Sequence, residues 1–135
     1  MKFKDLSTTF HTTKIAECKE FYLKYFDVKV TFDCDWYVTI HFDSEVNPYI
    51  FLSFMAPPCD MDPKEAAGGV TLNLMVDDVD AEYNKLKQTD IAILDAIADH
   101  EWGDRSFTVA DPIGNILYIY SPREMAEKYK DALKA

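Results

Sequence analysis

Apolar and polar residues alternate singly through "LSTTFHTT", with Leu6, Thr8 and Phe10 on one face and Ser7, Thr9 and His11 on the other, which predicts a half-buried strand. The period then lengthens. From Thr13, an N-cap, the residues Ile15, Cys18, Tyr22, Tyr25 and Phe26 recur at helical spacing and form a stripe that can pack on the Leu6 face. "VKVTFDCD", "WYVTIHFD" and "PYIFLSFMA" are rich in β-branched and aromatic residues and predict three more strands. "PPCDMDPKEAAGG", with three prolines and a Gly pair, breaks all periodicity and reads as a connector.

The same order then begins again. "VTLNLMVD" predicts a strand with Val70, Leu72, Leu74 and Val76 on one face and Thr71, Asn73 and Met75 on the other. Val79, Tyr83 and Leu86 give a helical stripe with Asp77 or Asp78 as cap, and "IAILDAIAD", "RSFTVAD" and "NILYIYS" supply three strands. Superposing the halves places Ser7 on Thr71, Ile15 on Val79, Trp36 on Trp102 and Leu52 on Tyr118. One βαβββ unit is used twice, in a single α+β domain over 1–135: a first module at 5–56, the connector at 57–69 and a second module at 70–121. Two open sheets that face each other leave a cleft. A C-terminal helix is predicted over 122–135, with Ser121 as N-cap, Pro122 at its first position and Glu124 completing a capping box. Its stripe of Met125, Tyr129 and Leu133 packs on its own domain or on a second subunit.

Composition narrows the function. In 135 residues, 48% apolar and 14% aromatic residues are ample for one core. Acids outnumber bases 24 to 14, a net charge of −10, which argues against nucleic acid because phosphate binding draws on Lys and Arg. The acidity reads as solubility, or else as attraction for a cationic ligand. Cys18, Cys34 and Cys59 are an odd count without paired spacing, so neither a disulfide framework nor a thiolate zinc site is expected, and the expected compartment is reducing. "MKFKDLSTTF" has no signal-like apolar run, and no stretch approaches the roughly 18 apolar residues of a membrane span. The expectation is a soluble cytoplasmic protein with no membrane partner.

The stretches "IAECKEFYLKYFDV", "LMVDDVDAEYNKL" and, most specifically, "WGDRSFTVADPIGNILYIYSP" resemble the vicinal oxygen chelate superfamily of glyoxalases, extradiol dioxygenases and bleomycin-resistance-type proteins. The resemblance implies an eight-stranded U-shaped cleft, a homodimer, and a divalent metal held by one residue from the first and last strand of each half. Those positions fall on Ser7, Leu52, Thr71 and Tyr118. None is an imidazole, thiolate or carboxylate, the donors such metals require. A one-residue slip turns every side chain over and exposes Leu6 or Thr8, Phe51 or Ser53, Val70 or Leu72, and Leu117 or Ile119, which serve no better. No metal and no cofactor are therefore expected, and the chain resembles the metal-free bleomycin-resistance-like branch most closely.

The inward face then reads as a ligand wall of Ser7, Thr9, His11, Ile50, Leu52, Phe54, Thr71, Asn73, Met75, Ile116, Tyr118 and Tyr120, or as the filling of a collapsed cleft. Trp102 at the mouth offers stacking or cation–π attraction, as does Trp36, its counterpart; either could instead pack on its own loop. Arg105 anchors an anionic group or pairs with Asp104 or Asp111. His11 hydrogen-bonds a ligand, acts as a base, or is structural. His41 and His100 lack matching donors in their sequence context, Asp111, Pro112, Gly114 and Asn115 are turn residues, and Cys18 is a small buried hydrophobe. The ligand-contacting set is thus His11, Trp36, Leu52, Phe54, Thr71, Asn73, Trp102, Arg105, Tyr118 and Tyr120, with no catalytic residue. The expected function is stoichiometric capture of an aromatic or cationic, antibiotic-like small molecule. The alternatives are a metal-dependent lyase, isomerase or dioxygenase with atypical ligands such as His11 and Tyr118, and a ligandless dimeric interaction module.

Overall fold

The computed structural model of the chain describes residues 1–57 and 70–134. The predicted connector falls almost wholly outside them, as does Cys59. The elements follow the predicted order: β1 (Thr9–His11), α1 (Ile15–Tyr25), β2 (Val28–Cys34), β3 (Tyr37–Phe42), β4 (Phe51–Met55), then β5 (Thr71–Met75), α2 (Val79–Lys87), β6 (Ile93–His100), β7 (Asp104–Ala110), β8 (Ile116–Pro122) and α3 (Glu127–Lys130). They form two four-stranded sheets of identical topology, β1-β4-β3-β2 and β5-β8-β7-β6, so the α+β fold of paired βαβββ modules is observed. In each sheet the outer pair, β1 with β4 or β5 with β8, is parallel and the other pairs are antiparallel. Contacts divide the chain into two compact units, Met1–Gly68 with Asp111–Gly114, and Gly69–Ala110 with Asn115–Ala135. Among the described residues no helix is long and apolar enough to cross a membrane.

In the first unit the N-cap position of α1 is Lys14, one residue beyond the expected Thr13, and its N–H is taken by the Thr12 hydroxyl at 2.9 Å. The stripe buries Cys18 and Tyr22 against the sheet, and Tyr22 meets the rings of Phe42 and Phe54. Because strand side chains alternate, Val38, Ile40, Leu52, Phe54 and Phe10 all lie on this helix side, every one buried. Leu52 and Phe54, expected in the ligand wall, are core residues; the opposite face of β4 carries Phe51, Ser53 and Met55. The turn Asp111–Gly114 is anchored here, since the Tyr22 phenol donates to Asp111 Oδ2 at 2.8 Å. Gly114, at φ +85°, supplies the left-handed residue of that turn.

The ladders correct the superposition. Thr12 N–H bonds Met55 O and Val76 N–H bonds Tyr120 O, both at 2.9 Å, so Met55 matches Tyr120 and Ser53, not Leu52, matches Tyr118. Tyr37 opposite Met55 and Ser106 opposite Tyr120 make these two equivalent, which puts Trp36 level with Arg105 and not with Trp102. The cause is loop length: the β3–β4 connection runs from 43 to 50, against 111 to 115 between β7 and β8, so no single offset aligns both strands.

In the second unit Val79, Leu86, Phe107, Val109, Leu117 and Ile119 are buried between α2 and the sheet. Asp78 caps α2, accepting from Ala81 N–H at 3.0 Å. Ser121 and Pro122 end β8 and start no helix. Ser121 Oγ instead accepts from Val79 N–H at 3.1 Å and donates to Val76 O at 2.8 Å, so it caps α2 from the neighbouring strand. The C-terminal helix is present but short, following Ala126, and buries none of its residues. Bonds from Arg123 N–H to Gly103 O and Ala126 N–H to Glu101 O, both 2.8 Å, tie the tail to the β6–β7 turn.

Candidate functional site

Alternation along β7 sends Arg105, Phe107 and Val109 toward α2 and Asp104, Ser106 and Thr108 to the open face, where Tyr118 and Tyr120 stand opposite Thr108 and Ser106. Irregularities in β6 between Ile93, Asp95 and Ala98 bring Asp95 onto Thr108 and leave His100 beside Asp104. Gly103, at φ +111°, makes the turn that sets Trp102 against His100. The two rings stack with centroids 4.3 Å apart at 11°. His100, Trp102, Tyr118, Ser106, Thr108, Asp95 and Ala96 line an open cavity of about 450 Å³.

The carboxylate of Asp104 is the centre of this cluster. Only 8% of the residue is exposed, and burial of such a charge requires compensating donors. It has three: the Tyr118 hydroxyl at 3.0 Å from both oxygens, Trp102 Nε1–H at 3.1 Å, and His100 Nδ1 at 2.9 Å. Trp102 Nε1 also lies 3.1 Å from the Tyr118 oxygen. The Thr108 hydroxyl donates to Asp95 Oδ2 at 2.6 Å and accepts from Asp95 N–H at 3.1 Å. The phenol, indole and threonine donors are thus all committed to carboxylates, and what the cluster offers a guest is ring faces and acceptor atoms. Ser106 Oγ reaches the same Nδ1 of His100, at 3.2 Å, as Asp104 does, so it lacks the separate base nitrogen of a nucleophilic serine.

The open face of the first sheet has a different chemistry. Thr9 and Tyr37 hydroxyls lie 3.2 Å apart and those of Thr39 and Ser53 2.9 Å apart. Hydrogen bonds from Ser53 and Thr9 hold the Tyr37 phenol below its ordinary range. Phe32, Trp36, Tyr37 and Thr39 line a smaller cavity of about 330 Å³, and Trp36 is 58% exposed. His11 shares this face, opposite Met55; His41 stacks on Phe51 at 5.0 Å.

Of the residues expected to contact ligand, Thr71, Asn73, Tyr118 and Tyr120 share the open face of the second sheet, with Trp102 at its edge, while His11 and Trp36 belong to the first unit. Arg105 is on the wrong face: its Nε and NH2 grip both oxygens of Asp80 on α2 at 2.9–3.2 Å, and NH1 lies 3.4 Å from Asp99, so its partner is neither Asp104 nor Asp111. The positions where the superfamily resemblance would place metal ligands are Ser7, exposed ahead of β1, with Thr71, Tyr118 and, by the corrected register, Ser53. Three aliphatic hydroxyls and a phenol do not fit a divalent metal. Among the described residues no three His, Cys, Asp or Glu side chains are grouped to hold one. Asp95, His100, Asp104, Ser106 and Thr108 are site residues that pattern reading missed. The signal was the alternation of "DRSFT", which puts Asp104, Ser106 and Thr108 on the face of Tyr118.

Residues 7–124 match a family model described as a glyoxalase-like domain. Similar solved structures include a lactoylglutathione lyase from Agrobacterium tumefaciens, 15% identical, with TM-score 0.69, over 90% of this chain and 96% of that one. A glyoxalase/bleomycin resistance protein/dioxygenase from Nocardioides is 14% identical, with TM-score 0.71, over 92% and 87%. An antibiotic binding protein from a Streptomyces species is 21% identical, with TM-score 0.68, over 90% and 98%. In sequence, 46 residues are 41% identical to an uncharacterised protein of Mycobacterium tuberculosis; the match spans 34% of this chain and 27% of that protein's length.

Proposed function

Since the chain belongs to the glyoxalase-like domain family of the vicinal oxygen chelate superfamily, we propose that it is a metal-independent small-molecule binding protein of the bleomycin-resistance type. Its ligand is a planar aromatic compound, cationic or rich in hydrogen-bond donors, held on the open face of the second module. The observation that carries this reading is the stacked His100–Trp102 pair beside a cavity of about 450 Å³ with Tyr118 and Asp95 in its wall. A flat cation gains stacking and cation–π attraction of about 0.5–2 kcal/mol from such rings and finds acceptors at Asp95. The similarity to an antibiotic binding protein supports the fold on which capture of this kind is built. The homodimer expected from the resemblance is part of the same proposal, and light scattering tests it.

The test uses 9-aminoacridine, a planar cation, against uncharged acridone, followed by tryptophan fluorescence and by thermal shift. Saturable binding of 9-aminoacridine, weakened in Trp102→Ala and Asp95→Asn but not in Trp36→Ala, is the expected result. Equal binding by wild type and Trp102→Ala, or no binding at all, overturns the assignment.

A further inference from the structure

We propose that His100, positioned by Asp104, is a general base that takes a proton from the compound bound against Trp102, with no metal involved. The inference rests on the binding reading above, because the base and the stacking surface share one cavity. Asp104 Oδ1 lies 2.9 Å from His100 Nδ1, and that carboxylate is fixed in turn by the Tyr118 hydroxyl and the Trp102 indole. An Nδ1–H donated to a fixed carboxylate selects the imidazole tautomer whose Nε2 carries the lone pair, and the carboxylate then faces the imidazolium that forms. With Asp104 and Ser106 both at Nδ1, Nε2 is the one ring nitrogen left to accept a proton; no described residue hydrogen-bonds it.

His100 lines two cavities, the one beside Trp102 and a second of about 480 Å³. The titratable groups that touch it or line these cavities are acids and phenols: Asp104 and Tyr118 in contact with it, Asp95 in the first cavity, and Asp99, Glu101, Glu124 and Glu127 in the second. Among the described residues no Lys or Arg lines either cavity; Arg105, Lys128 and Lys130 are paired with Asp99, Glu101 and Glu127 of the second, and the carboxylate that faces the ring directly is Asp104. Because the site's own donors are committed to carboxylates, the chemistry it suits is proton removal from a compound whose anion is already stabilised, as in nitro- or carbonyl-activated aromatics.

The probe is 5-nitrobenzisoxazole, which is flat, neutral and of a size the cavity holds. Its ring C–H proton passes to Nε2, the C–H electron pair becomes the third bond of a nitrile, and the N–O bond breaks to leave a nitrophenolate; nothing else is consumed. Binding is read by tryptophan fluorescence and turnover by phenolate absorbance, in wild type, His100→Gln, His100→Phe and Asp104→Asn. His100→Phe keeps a ring on Trp102, and melting curves establish which variants are folded. Wild type should saturate and accelerate the reaction. Both His100 variants should lose about 10²–10⁴-fold in kcat, with KM within about threefold for His100→Phe. Asp104→Asn should lower kcat and displace the midpoint of the pH profile, which a merely structural role would not do. Saturable binding with turnover no faster than in His100→Phe overturns the base and leaves the binding reading standing. Absence of saturable binding by this probe and by 9-aminoacridine overturns both.

Discussion

Alkaline stability tests the core beneath α1 quantitatively. Cys18 is fully buried, and burial, aided by the Asp111 and Glu17 carboxylates, pushes its thiol from the ordinary 9.0 up to about 12. The folded state therefore keeps Cys18 neutral while the unfolded chain ionises it. This contribution is fully present below pH 9.0 and is lost as pH rises from there toward 12. The slope for one proton is ~1.4 kcal/mol per pH unit, so by about pH 11 the loss due to Cys18 is on the order of 2–3 kcal/mol. Tyr22 acts in the same sense, since burial and the Asp111 carboxylate that accepts its proton raise the phenol well above 10.0. Its share by about pH 11 is on the order of 1 kcal/mol. Other residues titrate too, so the measurement is a difference: urea unfolding of wild type, Cys18→Ala and Tyr22→Phe at about pH 8 and about pH 11, under reductant. Cys18→Ala costs about 1 kcal/mol at the lower pH through lost packing, yet it should lose on the order of 2–3 kcal/mol less than wild type between the two. If the two proteins lose stability in parallel, Cys18 does not stay neutral in the fold and the packing described for α1 is wrong.

Ser121→Ala removes the cross-strand cap of α2, leaving the N–H of fully buried Val79 without its acceptor, and should cost about 1–2 kcal/mol in urea unfolding. Gly103→Ala forces a side chain into φ +111° with its Cβ 3.3 Å from Met125 Cβ, so it should destabilise by ~1 kcal/mol or more and shift the emission of Trp102 next to it. Arg105→Lys trades a two-pronged grip on Asp80 for a single point charge; the melting temperature should fall slightly while 9-aminoacridine binding stays unchanged, because the pair lies on the α2 face. A binding defect in that variant would restore Arg105 to the site.

What could be read from the chain, and what could not, divides along one physical line. Helix stripes and strand alternation are local, so the two βαβββ modules and the faces of β5 and β8 follow from spacing alone. Register between strands is set by loop lengths. Carrying Trp36 onto Trp102 across two unequal loops displaced β4 by one residue, and one residue exchanges Leu52 and Phe54 for Ser53 on the open face. The irregular β6 was equally hidden, which is why His100 seemed to lack partners although Asp104 and Ser106 lie four and six residues away. The corrected register also shows how the duplicated positions have diverged. Ser53 with Thr39 in the first module corresponds to Tyr118 with Thr108 in the second. A pair of aliphatic hydroxyls satisfies itself and engages no charge, whereas the longer phenol reaches Asp104 and holds a buried carboxylate against His100. The exchange of serine for tyrosine thus suits the second module to charge and proton transfer and leaves the first, with exposed Trp36 and Phe32, to apolar contact. Tyr118→Ser should therefore free Asp104 from one of its three tethers and weaken 9-aminoacridine capture, while Ser53→Ala in the first module should leave capture intact; the opposite ranking, measured in the same fluorescence titration, would place the ligand on the first sheet.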